Sequence, residues 1–261
     1  MPVRLILLAA TLASFACAES FDKPVSKRVV NLGRSPHTPS QSARVSCYYF
    51  ADFMIKEIDM GEKGADRLSI TPAAKGAPPG CGKLKTKAEK VIDAGEWSGY
   101  FKGVKAGYIF FDSDDHYNNG SPFAVYDAAG KKLFEDSSED ALVFAQAPDS
   151  TWHVTYERVA EAGCVLTASA DCWDGVKKKF GLEGPPPDCQ KGYADQTRMY
   201  ANESCKNQKA GQDECLARET ARMQQQLKDD PSIIAYPVDT ALGARPESKA
   251  RPGEVRCWPA D

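Results

Sequence analysis

The stretch YIFFDSDDHYNNGSPFAVYDAAGKKLFE, residues 108–135, constrains the rest of the chain most tightly. Tyr108-Ile109-Phe110-Phe111 is aromatic and β-branched, a composition that suits a pleated, packed surface. Its apolar side chains fall on both faces, so it reads as an inner strand that needs covering twice. Phe123-Ala124-Val125-Tyr126 is the next strand. Asp127-Ala128-Ala129-Gly130 makes a tight turn, and Lys132-Leu133-Phe134-Glu135 returns antiparallel.

Flanking segments extend this pattern. Val45 to Phe50, residues 53–60 and Leu142-Val143-Phe144-Ala145 have strand character. In 67–71, Leu68 and Ile70 share one face; in 151–157, Trp152, Val154 and Tyr156 point inward with His153, Thr155 and Glu157 in water. Cys164-Val165-Leu166-Thr167 reads as the last strand of the series. After Ala168 the character changes. Residues 171–182, 193–204 and 213–228 read as helices, with Asp171 and Asp213 as caps. In the third helix Leu216, Thr220, Met223 and Leu227 form one stripe. The expected fold is α+β: a mainly antiparallel β sandwich or barrel-like domain over 44–168, then a small disulfide-bound helical region with an extended tail over 169–261. Residues 19–43 read as a loosely ordered arm, in which residues 28–32 have the composition to add a strand.

The first eighteen residues, MPVRLILLAATLASFACA, combine Arg4, an apolar run and an Ala16-Cys17-Ala18 site. That is the pattern of a secretory signal peptide, too short for a good membrane span. Cleavage after Ala18 leaves eight cysteines: Cys47, Cys81, Cys164, Cys172, Cys189, Cys205, Cys215 and Cys257. An even count in an exported chain reads as four disulfides, of which Cys47–Cys81 is expected as a staple across a hairpin. The implied location is periplasmic or extracellular, with no transmembrane span in the mature chain. A net charge of −3 and scattered Lys and Arg argue against nucleic acid as a partner.

No catalytic motif is present. The three histidines, His37, His116 and His153, lack a metal-binding spacing, and there is no C-x-x-C, nucleophile elbow or phosphate-cradling glycine loop. Residues 112–120 pack hard oxygen donors into a short loop. Asp112, Asp114, Asp115 and Asn118 are its candidate ligands for calcium, set against a plain polar turn. Tyr100, Phe101, Tyr117 and Trp258 are the aromatics expected at the surface, where rings stack on sugars or anchor a protein. The sequence therefore points to an exported, disulfide-stabilised, non-enzymatic binding or structural protein. Its expected partner is an extracellular or periplasmic protein or a glycan. The alternative is a secreted hydrolase with an unmotifed carboxylate or histidine site.

Export as read here fixes the mature N-terminus at Glu19. Terminal sequencing of secreted material checks this; an acylated Cys17 or a retained Met1 would contradict it.

Overall fold

The computed structural model describes residues 20–73, 78–92, 97–113, 115, 117–139, 141–208 and 211–260. The signal-peptide reading lies outside the described residues. Fourteen strands and three helices are seen among the described residues. They build two antiparallel sheets followed by helices bound by disulfides.

The smaller sheet is a meander of five strands in chain order: β1 (Ser26–Arg34), β2 (Ser42–Tyr49), β3 (Phe53–Asp59), β4 (Arg67–Pro72) and β5 (Lys90–Ile92). Residues 28–32 thus lie within a nine-residue strand, β1, paired along its length with β2. The larger sheet starts with the meander β6 (Tyr100–Lys105), β7 (Tyr108–Asp112), β8 (Ser121–Tyr126) and β9 (Lys132–Ser138). It continues through β10 (Val143–Gln146), β11 (Trp152–Glu161), β12 (Ser232–Leu242), β13 (Glu247–Ala250) and β14 (Arg256–Pro259). The helices α1 (Ala170–Phe180), α2 (Cys189–Cys205) and α3 (Gln212–Leu227) are inserted between β11 and β12.

β7 and β8 are covered on both faces, as their composition demands. Ile109, Phe111, Ala124 and Tyr126 pack against Ile55, Leu68 and Ile70 of the smaller sheet. Phe110, Phe123 and Val125 face the other way. They meet Val154 and Tyr156 of β11, Ile234, Tyr236 and Val238 of β12, and Trp173 and Val176 of α1. The larger sheet must curve for strands at its two ends to share that core. Its ladder is thinnest where it bends, for β9 and β11 pair only at Ser138 and Arg158. Phe21 completes the core from the N-terminal side. Its ring lies 5.4 Å from Phe110 and 4.9 Å from Phe144, directly over Gly103, where a Cβ would come within 2.4 Å of the ring. Asp22 fixes the segment by accepting from the Ala106 N–H at 2.6 Å.

Several local readings change. Residues 164–167 form a turn rather than a strand, because Cys164 bonds Cys172 just inside α1 and the chain must reverse. Ser169, not Asp171, caps α1: its hydroxyl accepts from the Asp171 N–H, and Gly181 ends the helix at φ 67°. Asp213 lies inside α3, which begins after Gly211 at φ 70°. The stretch 232–259, read as extended tail, supplies three strands to the larger sheet. The expected staple Cys47–Cys81 is present, with Cys164–Cys172, Cys189–Cys257 and Cys205–Cys215.

The staple holds a strap. Residues 78–89 run back over the outer face of the smaller sheet, where Lys56 is fully buried. The Lys56 ammonium donates to the carbonyls of Gly82 (3.2 Å) and Leu84 (3.1 Å) and to Glu89 Oε2 at 2.6 Å. Ser69 and the Thr86 N–H complete the Glu89 carboxylate. Burial alone would raise that carboxyl; the Lys56 ammonium, the Thr86 N–H and the Ser69 hydroxyl together hold it below the usual carboxylate range.

Glu89→Gln leaves the ammonium buried without its counter-charge and should lower unfolding stability at neutral pH by about 3–5 kcal/mol. A lowered acid pKa contributes stability that is present above the ordinary 4.5 and is lost as pH falls. The deficit, read by urea unfolding, should therefore shrink in acid. A deficit that stays constant down to pH 3 would contradict the ionic strap.

Candidate functional site

The acidic loop joins β7 to β8. Tyr117 and Gly120 exchange backbone hydrogen bonds at 3.1 and 2.8 Å around Asn118 and Asn119, whose φ values are 52° and 64°. Two successive left-handed residues make the two-residue hairpin turn that matches strand twist, and asparagine tolerates that backbone well. Asn118 is buried at the turn. Asp112 faces the Lys102 ammonium at 3.1 Å, and Asp115 pairs with Lys63. Asp114 and His116 lie outside the described residues. A cation bound through Asp112 and Asp115 would have to displace two ammonium groups.

The four aromatic candidates do not converge. Tyr100 stands at the outer edge of the larger sheet; its hydroxyl accepts from the Gly64 N–H and donates to the Glu62 carbonyl, both at 3.1 Å. Phe101, expected at the surface, packs between the sheets, with its ring 4.5 Å from Tyr48 and 6.3 Å from Phe111. Tyr117 is 61% exposed. Trp258, also expected at the surface, is buried among Val159, Ile233 and Ala235. Pairing of β14 with β12 and the Cys189–Cys257 bond to α2 draw it inside.

A cleft opens at the β1 corner of the smaller sheet. Its position follows from register. Residues paired across β1, β2, β3 and β4 share a face. Tyr48, Ile55 and Ile70 form one apolar row of the inner face, packed against the larger sheet. Two rows along, Asn31, Arg44 and Asp59 form a polar row. Those three, with Ser42, Val29 and the Tyr100 ring, line a cleft of ≈ 520 Å³. Arg44 and Asp59 pair at 3.1 Å.

Glu57 belongs to the row between. It is 5% exposed, and its Oε2 accepts from the Phe101 N–H at 2.8 Å. Burial pushes its carboxyl above the usual range, against the lowering effect of that hydrogen bond and of Arg44. The site therefore sets a carboxyl biased toward protonation two residues from Asp59, which faces a guanidinium. Sequence reasoning missed this corner. The available signal was Lys56-Glu57 inside the otherwise apolar run Phe53-Met54-Ile55…Ile58.

A second polar group lines the curve of the larger sheet. Arg158 Nε donates to both oxygens of Asp136, at 3.0 and 2.7 Å, and Tyr156 donates its hydroxyl to Asp136. Arg158 Nη1 reaches the Tyr236 hydroxyl at 3.3 Å. Burial raises the Tyr156 phenol, and the neighbouring Asp136 raises it further, so it stays neutral. The members satisfy one another and bridge β9 to β11 where the backbone ladder fails.

Among the described residues no helix is long and apolar enough to cross a membrane. No family model, curated protein or solved structure matches the chain.

An acid with a raised folded pKa contributes stability below its ordinary pKa that is lost as pH rises. Glu57→Gln, which keeps an acceptor for the Phe101 N–H, should therefore gain melting temperature over the wild type as pH rises from 4 to 7. Parallel melting curves at both pH values would contradict the buried-carboxylate assignment.

Proposed function

We propose that the chain is an exported, disulfide-stabilised binding protein of the periplasm or extracellular space, and that the cleft at Asn31, Arg44, Asp59 and Tyr100 takes a glycan. The observation that carries this is the make-up of the cleft. An amide, a guanidinium and a carboxylate stand in one row on paired strands, with the Ser42 hydroxyl and an aromatic residue lining the same cleft. That is the mixture of fixed polar groups and ring face by which sugars are recognised. Strands hold such groups more firmly than loops do. Four disulfides support an oxidising destination.

A hydrolase is the second reading, favoured by Glu57 and Asp59. Alternate residues of one strand point to the same face, so Glu57 and Asp59 present two carboxyl groups on one side of β3, the residue types by which glycosidic bonds are hydrolysed. In that case Glu57, its carboxyl raised by burial, is the acid and Asp59 the base.

Glycan-array screening of the oxidised protein should identify a saturable ligand. Arg44→Ala should weaken it at least tenfold while leaving the fold intact by circular dichroism. Ligand cleavage lost in Glu57→Gln would establish the hydrolase reading instead. Binding indifferent to Arg44→Ala, or no glycan bound at all, would remove the cleft from consideration.

A further inference from the structure

Two loops of the smaller sheet meet beside the cleft: residues 35–41, between β1 and β2, and residues 60–66, between β3 and β4. They bring His37 of the first loop to Glu62 and Asp66, neighbours in the second. One ligand atom from each lies within 4.8 Å of the other two, and His37 Nδ1 is 2.8 Å from Glu62 Oε1. We propose that these three side chains form a binding site for a first-row divalent cation, with zinc as the best fit. This is independent of what the cleft takes.

The donor set selects the metal class. An imidazole nitrogen is a poor partner for calcium or magnesium, which take oxygen ligands. It suits zinc, which accepts histidine together with carboxylates and completes its shell with water. Three protein ligands with an open position is the coordination that zinc adopts when it keeps an exchangeable site. His37 and Asp66 also help to line a cleft of ≈ 470 Å³.

The two loops are tied together by groups that are not themselves ligands. Ser35, 4% exposed, donates its hydroxyl to the Met60 carbonyl and accepts from the N–H groups of His37 (3.1 Å) and Thr38 (2.9 Å). Thr38 donates to the Gly61 carbonyl at 2.7 Å. The loops touch so closely at Gly61 that a Cβ there would lie 2.4 Å from Ser35 Oγ, and its φ of +90° is left-handed. Asp66 is itself oriented: one of its oxygens accepts the Met60 N–H at 2.7 Å. A ligand set held this way needs little rearrangement beyond insertion of the ion between His37 and Glu62.

The test is calorimetric titration of the oxidised, metal-free protein with zinc chloride, with calcium chloride as the contrast. Saturable zinc binding at one ion per chain is expected, lost in His37→Ala and in Asp66→Asn. Both are exposed positions, so circular dichroism should match the wild type. Thr38→Val, which removes the tie between the two loops at the Gly61 carbonyl and touches no ion, should weaken zinc binding without abolishing it. An absence of zinc binding would overturn the proposal. So would binding that survives His37→Ala, or binding that is lost only when Asp112 and Asp115 are replaced by asparagine.

Discussion

Two-sided burial of β7 and β8 is the constraint on which the structure depends. An antiparallel sheet commonly keeps one face in water. Here Ile109 and Phe111 point one way and Phe110 the other, all fully buried. The chain must therefore supply two apolar layers. The five-stranded meander provides one. The other comes from the same sheet curving over, with α1 closing the gap and Phe21 filling the remaining space. Curvature is the physical consequence of asking one sheet to be both the covered layer and the cover.

Ion pairs stand where backbone pairing gives out, one fully buried and one partly buried. Residues 78–89 cross the outer face of the smaller sheet without a ladder, and Lys56 with Glu89 ties them down. β9 and β11 share a single paired position, and Arg158 with Asp136 spans the opening. A buried ion pair gives little net stability, but breaking one is costly, so such pairs penalise the alternatives more than they reward the native arrangement. Both pairs serve as local keys to register and closure.

What could be read from the chain alone was local. Period-two alternation marked 67–71 and 151–157, parity of cysteines marked four bridges, and the stripe through Met223 and Leu227 marked α3. Residues 233–236 read as extended, but the continuation of β12 through Pro237 to Leu242 was not legible. A proline is tolerated there because β14 pairs with residues 232–235 and β13 with 238–241, so the missing N–H faces the gap between them. Only the tertiary pairing reveals that gap. The same holds for the candidate sites. The polar turn at Asn118-Asn119 is a short-range feature and was legible. The row Asn31–Arg44–Asp59 and the trio His37, Glu62 and Asp66 exist only once strand register is set, and no periodicity announces them. The positions of Phe101 and Trp258 were misjudged for the converse reason: an aromatic near a chain end or strand start is drawn inward by partners far away in sequence.

The bridges also impose an order of events. Cys47–Cys81 and Cys164–Cys172 join neighbours along the chain, but Cys189–Cys257 encloses Cys205–Cys215. A ribosome delivers Cys205 and Cys215 well before Cys257. Cys189 must therefore remain reduced, or exchange out of an early pairing, until Cys257 has been made. Thiols oxidised strictly as they emerge would join Cys189 to Cys205 and strand the C-terminal strands from the helices. Faithful maturation thus requires either that Cys189 stays a thiol until Cys257 is available or that an early Cys189 bond is exchanged for the native one.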